Sequence, residues 1–121
     1  MTRALMATAI ILAGCLLALS ATGALARECG VASYYAHAHH GRTQANGKPF
    51  NMYAMTAAHK SLAFGTKVRV RRQDGKGSIT VTITDRGPYV RGRIIDLSLA
   101  AAKKLGTVQA GVAKVCIERV R

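Results

Sequence analysis

Residues 78–98 (SITVTITDRGPYVRGRIIDLS) constrain the fold more than any other part of the chain. Apolar residues alternate with threonines through residues 79–84, which is the two-residue period of a β-strand with one buried face. The pattern stops at Asp85, where an Arg-Gly-Pro sequence follows, so we expect Asp85 on a loop at the mouth of a sheet. A second apolar run leads to Asp96. The two aspartates are therefore predicted to stand at strand ends and to flank one loop, although their spacing fits purely structural acids as well.

The residues after Asp96 have the pattern of one short helix. Ser98 is a good N-cap, alanines fill the first turns, and two lysines lie in the last turn. Gly106 is predicted to end the helix.

The rest of the chain reads as a β-protein without repeats or linkers. Residues 66–72 and 78–84 are predicted to pair as a hairpin, since Asp-Gly lies in the connection between them. Residues 36–49 have turn chemistry and form a long loop, and one helical turn is predicted over residues 50–53. Further strands are predicted over residues 30–35, 55–59 and 111–120.

The N-terminal segment is predicted to be an export signal. A short positive start, an almost wholly apolar run and an Ala-Leu-Ala sequence ending at Ala26 predict that residues 1–26 are removed as a signal peptide. Residues 27–121 then form one small domain, placed in the periplasm or secreted. An alternative is lipidation at Cys15, which lies in a Leu-Ala-Gly-Cys box and would anchor the protein to a membrane.

Export changes the meaning of the cysteines. With Cys15 removed, Cys29 and Cys116 remain, an even number in an oxidising compartment, and we predict that they form a disulfide. Closing so long a loop contributes on the order of 4 kcal/mol to stability. The alternative is a buried free thiol at Cys116.

The charge is strongly positive. Eighteen Lys and Arg residues stand against five acids, a formal charge of +13, and the loss of Arg3 with the signal leaves +12. Such a surface favours anionic partners. The chain has no recognised nucleic-acid motif, so we do not expect nucleic acid to be the partner.

The histidines raise the question of a metal. His37, His39 and His40 lie in one loop, and Cys29 is another ligand-capable residue. No spaced cysteine or second histidine pair completes a set, so we predict no metal and no cofactor. His59 fits a satisfied half-buried histidine as well as a catalytic one.

Seven motifs follow one another along almost all of residues 30–120. They are residues 30–35 (GVASYY), 40–42 (HGR), 45–47 (ANG), 56–59 (TAAH), 64–66 (FGT), 85–88 (DRGP) and 92–98 (GRIIDLS). In this order they resemble the rare lipoprotein A (RlpA) family of septal-ring lytic transglycosylases. The resemblance implies a mainly β fold, a six-stranded double-psi β-barrel with one short α-helix, and action on the glycan strands of peptidoglycan.

The resemblance also implies site residues. Asp85 and His59 correspond to the family's aspartate and histidine, and Asp96 is a secondary candidate because related barrels place a catalytic acid there. Two positions depart from the family pattern, since Lys48 stands where Glu is usual and Asn51 where Asp is usual. We further expect the substrate to be bound by Tyr34, Tyr35, Arg42, Asn46, Lys48, Arg86 and Arg91.

A lytic transglycosylase needs fewer carboxylates than a hydrolase. The sugar's own 6-hydroxyl attacks the anomeric carbon, so one carboxyl can give a proton and take one back. Asp85 is the best acid for this, with His59 and Asn46 orienting. However, Arg86 and Lys48 are expected to lower its proton affinity, the wrong direction for an acid.

Two functions follow from these observations. The first is a monomeric, exported lytic transglycosylase that cleaves peptide-stripped glycan. The alternative is a non-catalytic barrel whose cations bind the lactyl carboxylates of the same strands.

Overall fold

The structure, a computed structural model, describes residues 27–121, so the predicted signal peptide and Cys15 lie outside the described residues. A short 3-10 turn over His37–His39 follows the first strand. The regular elements are β1 (Glu28–Tyr35), β2 (Thr56–Ala58), β3 (Lys67–Arg72), β4 (Ser78–Asp85), β5 (Arg93–Ser98), α1 (Leu99–Leu105) and β6 (Ala113–Arg119).

The six strands form one closed barrel in the order β1-β5-β2-β4-β3-β6. Two pairs are parallel, β1 with β5 and β2 with β4, and the other four are antiparallel. Closure leaves no free sheet edge within this barrel. The predicted six-stranded barrel with one helix is confirmed.

The alternating pattern of residues 79–84 sets the inner face of β4. Ile79, Val81 and Ile83 are buried, whereas Thr80 is exposed. The neighbouring strand β3 repeats the arrangement, with its valines inside and its Lys and Arg residues outside. Each fully buried aliphatic side chain of this kind contributes about 1.5–3 kcal/mol to burial free energy.

Helix α1 begins and ends as predicted. The Ser98 hydroxyl accepts a hydrogen bond from the Ala101 amide at 3.1 Å, and Gly106 closes the helix with φ +81°. Glycine tolerates this left-handed conformation, which strains other residues. Leu99 and Leu105 anchor the buried side of the helix.

One prediction about the strands is wrong. Asp96 does not stand at a strand end but within β5, which continues through Leu97 to Ser98. The reason is that Ser98 is both the last residue of β5 and the N-cap of α1, so no loop separates strand from helix.

The long loop after β1 packs on a small second core. Phe50 and Met52 are buried there against Leu99, and the Tyr35 ring stacks on Phe50 with ring centroids 4.4 Å apart. In place of the helical turn predicted over residues 50–53, there is a single turn in which the Ala54 amide donates to the Asn51 carbonyl at 3.1 Å. The loop is thereby held against the C-terminal end of β1.

A disulfide joins Cys29 and Cys116, which are direct partners across β1 and β6. It closes a loop with a sequence separation of 87 residues. In the chain-entropy account such a closure stabilises the folded state by about 4 kcal/mol.

Candidate active site

The strand register aligns two carboxylates in one row across the barrel wall. Ser33 on β1 pairs with Asp96 on β5, Asp96 pairs with Ala58 on β2, and Ala58 pairs with Asp85 on β4. Asp96 and Asp85 are therefore two strands apart, with Cα atoms roughly 9.5 Å from each other at ordinary strand spacing. We call Ser33, Asp96, Ala58 and Asp85 the carboxylate row.

Asp96 is the partly buried acid of this row. The Ser33 hydroxyl donates a hydrogen bond to its Oδ1 at 3.0 Å. Burial raises the pKa of Asp96, and the negative charge of Asp85 adds to the rise, while the Ser33 hydrogen bond and the charges of His39 and Arg93 oppose it. A raised pKa favours the protonated form that a general acid needs.

Asp85 has a different environment. Its Oδ1 accepts hydrogen bonds from two backbone amides, those of Ala45 at 2.8 Å and Arg86 at 2.9 Å. This oxygen therefore acts as a hydrogen-bond acceptor in both contacts.

Tyr35 brings a phenol to the same row. Its hydroxyl oxygen is buried and has no hydrogen-bond partner among residues 27–121. The pKa of Tyr35 is raised well above its ordinary value, first by burial, then by the charges of Asp85 and Asp96 and by a polar contact with Asp85 that falls short of hydrogen-bond geometry. The hydroxyl therefore keeps its proton at neutral pH and is available as a donor.

A small hairpin attaches the long loop to Asp85. Thr43 and Pro49 form a bridge, and the buried Gln44 accepts a hydrogen bond from the Thr84 hydroxyl at 2.6 Å. Asn46 and Lys48 lie on this hairpin, where the side-chain Oδ1 of Asn46 accepts a hydrogen bond from the Lys48 backbone amide at 3.0 Å. The Lys48 side chain is exposed.

His59 lies in a separate corner. Its Nε2 is 2.9 Å from Glu28 Oε1, and its Nδ1 accepts the amides of Ser61 and Leu62, each at 3.1 Å. Because Nδ1 accepts two amides, the ring presents its N–H from Nε2 toward Glu28. Within residues 27–121 no hydrogen bond joins the His59 ring to the Asp85 carboxylate. The two residues are linked only through their backbones, where the His59 amide donates to the Asp85 carbonyl oxygen at 3.1 Å.

The Arg86 side chain braces the same corner. Its Nη1 donates to the carbonyls of His59 at 3.1 Å and Leu62 at 2.8 Å, and its guanidinium carbon lies 4.1 Å from the centre of the Phe64 ring. The sequence argument placed this charge beside the Asp85 carboxylate. In the structure the backbone amide of Arg86, rather than its guanidinium, makes that contact.

The other predicted binding residues divide into two groups. Tyr34 packs between both cores, and its hydroxyl donates to the Val108 carbonyl at 3.4 Å. Arg42 and Arg91 are exposed.

The part of the chain that the structure describes contains no group of three His, Cys, Asp or Glu residues arranged to hold a metal. None of its helices combines the length and apolarity that crossing a membrane requires.

Sequence reasoning missed three residues of these sites. Ser33 could have been found, because it lies two residues before Tyr35 and so shares its face of β1. Glu28 and Gln44 gave no local signal, since their partners His59 and Thr84 are 31 and 40 residues away.

Comparison with known proteins places the whole domain. A model of the lytic transglycolase family matches residues 27–117. The endolytic peptidoglycan transglycosylase RlpA of Vibrio cholerae is 52% identical over 91 residues, covering 75% of this chain and 35% of the relative. The protein of the same name from Pseudomonas aeruginosa is 47% identical over 94 residues, covering 78% and 28%. The chain thus spans about a third of the length of the curated relatives it matches.

Solved structures share the fold. The Streptomyces papain inhibitor has 26% identity and a TM-score of 0.64, covering 79% of this chain and 96% of the inhibitor. An expansin from Clavibacter michiganensis has 28% identity and a TM-score of 0.61, covering 79% and 51%. The chain therefore belongs to the lytic transglycolase family and is an RlpA-like double-psi β-barrel domain.

Proposed function

We propose that this domain is a lytic transglycosylase that cleaves peptide-stripped peptidoglycan glycan and leaves 1,6-anhydro-muramic ends. The observation that carries the proposal is the carboxylate row, in which Asp96 and Asp85 share one register row but have different hydrogen-bond partners. The names of the relatives support the same substrate class.

The reaction is an internal displacement with two proton transfers. The C6 hydroxyl oxygen of a muramic residue forms a bond to C1 of the same sugar, while the glycosidic bond from C1 to the leaving oxygen breaks. Asp96 gives its proton to the leaving oxygen, and Asp85 receives the proton of the C6 hydroxyl. Exchange with water then restores a protonated Asp96 and an ionised Asp85.

The environments of the two acids support this division. Burial favours the neutral form of Asp96, whereas Asp85 Oδ1 serves as the hydrogen-bond acceptor of two backbone amides. The sequence argument assigned both transfers to Asp85. Two carboxyl groups with separated roles are the usual arrangement for glycosidic cleavage, and the row supplies them without requiring Asp85 to be protonated.

The remaining residues of the site bind the glycan strand or hold other site residues in position. The unpartnered Tyr35 hydroxyl is placed to donate to a sugar oxygen or to one of the acids, and Ser33 holds Asp96. Arg42, Asn46, Lys48 and Arg91 contribute polar and charged groups from the loops. His59 and Arg86 act as positioning residues, because their polar atoms are already engaged within the corner.

A second candidate function is glycan binding without cleavage. Lys48 replaces the family's usual acid on the hairpin that contacts Asp85, and Asn51 uses its side-chain oxygen to accept the Tyr53 amide at 2.9 Å. Both changes favour holding the lactyl carboxylates of the strand over cutting it.

One experiment separates the two functions. Purified protein is incubated with peptide-stripped glycan, and the products are analysed by mass spectrometry for anhydro ends, with binding measured on the same batch. Cleavage predicts anhydro ends that accumulate with time. Salt-sensitive binding with no new ends, for wild type and for Lys48→Glu alike, would support the binding module instead.

We further propose that the domain works outside the cytoplasm, as a monomer, after cleavage behind Ala26. The disulfide between Cys29 and Cys116 fits an oxidising compartment. The intact mass of the protein recovered from cells, with and without reduction before alkylation, tests the cleavage site and the disulfide, and the mass in solution under native conditions tests the monomer. A lipidated Cys15 terminus or two thiols that alkylate without reduction would contradict this proposal.

A further inference from the structure

A row of cations covers the outer face of β3. Lys67, Arg69 and Arg71 alternate with buried valines and point outward, about 6.7 Å apart along the strand. Other cations line surface depressions with them: Lys104 with Arg69, Arg121 with Lys67, and Arg27 with Arg71. We call these six residues the basic face.

No residue of the basic face forms an ion pair within residues 27–121. In this part of the chain the close contacts between an acid and a basic side chain are Glu28 with His59 and Asp74 with Arg72. The acid nearest in register is Glu118, which stands across from Arg69 on β6 without forming an ion pair. Six of the 17 Lys and Arg residues within residues 27–121 therefore lie on one face that the proposed reaction does not use.

The chemistry of the face fits phosphate better than sugar. Exposed hydroxyls of Ser78 and Thr80 lie beside Arg69 and Arg71 on the neighbouring strand. Guanidinium groups match phosphate oxygens in a two-pronged geometry. The large exposed apolar side chains, on which a sugar ring could pack, lie in the loops and not on β3 or β4.

The position of the face is also informative. In the ring order of the barrel, β3 is three strands from β5 in either direction and so lies across the barrel from Asp96. A surface bound to β3 would leave Asp96 on the opposite side of the barrel, whereas Asp85 lies on β4, the strand next to β3.

We infer that the basic face docks the domain on an anionic phospholipid bilayer, with Asp96 on the opposite side of the barrel. The inference rests on the proposed location outside the cytoplasm. It gives the domain a reversible membrane contact that does not depend on acylation at Cys15, because each Lys or Arg near an anionic surface strengthens binding by a factor of about five.

Co-sedimentation with vesicles tests the inference. The full chain is mixed with vesicles of phosphatidylcholine containing phosphatidylglycerol and with vesicles of phosphatidylcholine alone. Neutralising three charges in Lys67→Gln/Arg69→Gln/Arg71→Gln should weaken binding to the anionic vesicles on the order of 100-fold. The charge-matched control Arg42→Gln/Lys60→Gln/Arg91→Gln should weaken it less than tenfold. Residues 1–26 are the same in every variant, so their contribution cancels in the comparison.

The activity assay keeps this inference distinct from the proposed function. The basic-face triple variant should release anhydro ends from soluble glycan at the wild-type rate if the domain is an enzyme, and its vesicle binding is informative even if it is not. Equal vesicle binding by both triple variants, or binding that does not depend on phosphatidylglycerol, would overturn the inference. So would a triple variant that loses binding to glycan while keeping binding to vesicles.

Discussion

The carboxylate row and the His59 corner, formed by Glu28, His59, Leu62, Phe64 and Arg86, differ in how fully their polar side chains are hydrogen-bonded. In the corner both ring nitrogens of His59 have partners, and Arg86 donates to two carbonyls. Beside the row the Tyr35 hydroxyl has no partner within residues 27–121, and in the row Asp96 accepts a single side-chain hydrogen bond.

This difference separates a place that holds the fold from a place that can receive a ligand. Buried polar groups are normally satisfied, and one that is not has spare hydrogen-bonding capacity. In the corner, the His59 ring and the Arg86 guanidinium already form hydrogen bonds with groups of the domain itself. Beside the carboxylate row, the Tyr35 hydroxyl keeps unused hydrogen-bonding capacity close to Asp96 and Asp85.

The largest expected effect is on turnover in the row. Asp96→Asn and Asp85→Asn should each lower the release of anhydro ends by about 10²–10⁴-fold, because each removes one of the two proton transfers. Single-turnover assays at matched folded concentration measure this, with Asp74→Asn at the hairpin tip as the control. Wild-type turnover in Asp85→Asn together with loss in Asp96→Asn would place both transfers on Asp96.

The second effect distinguishes the corner from the row. His59→Ala should lower the free energy of unfolding by about 2–3 kcal/mol, because the amides of Ser61 and Leu62 and the Glu28 carboxylate lose their partner. Turnover per folded molecule should fall less than tenfold. Denaturant unfolding and the cleavage assay measure the two quantities, with the exposed His37→Ala as the control. Unchanged stability with a loss of 100-fold or more in turnover would make His59 catalytic and remove the contrast between the two regions.

The sequence predicted what depends on local pattern. The strand before Asp85 follows from a period of two, and the ends of α1 follow from the chemistry of Ser98 and Gly106. The contact between Ser33 and Asp96 joins residues 63 apart and depends on the parallel register of β1 and β5. The register between two strands so far apart in sequence cannot be predicted from a local sequence pattern.

The placement of Arg86 could not be predicted for the same reason. Its neighbour in sequence is Asp85, but successive residues point in different directions where a strand ends. Its guanidinium instead finds the carbonyls of His59 and Leu62, which are more than 20 residues away. Although Arg86 and Asp85 are neighbours in sequence, the Arg86 guanidinium makes no hydrogen bond or ion pair with the Asp85 carboxylate within residues 27–121.

A smaller effect is expected at the edge of the row. Lys48→Glu should raise turnover a few-fold, because a negative charge on the hairpin that contacts Asp85 favours proton uptake by the nearby carboxyl groups. The effect is limited because the side chain is exposed and acts through water, and it should shrink as salt is added. Lys60→Glu makes the same charge change outside the hairpin and should leave turnover unchanged. An equal gain in both variants would mean that net charge, and not the position of Lys48, is responsible.

The smallest effect is on stability and tests the burial of Asp96 independently of activity. Because the pKa of Asp96 is raised in the folded state, the folded protein holds a proton that the unfolded chain releases as pH rises from 3.8. The wild type therefore loses stability as pH rises through the raised value, whereas an asparagine does not titrate. Asp96→Asn should match the wild type in Tm near pH 3.5 and exceed it by a few degrees at most near pH 7. Thermal unfolding of both proteins across this range is the measurement, and groups other than Asp96 contribute similarly to both curves. The prediction is contradicted if the difference in Tm between the two proteins stays constant with pH, or if the wild type becomes the more stable protein near pH 7. Either result would mean that Asp96 is a satisfied structural acid, like Glu28 in the corner.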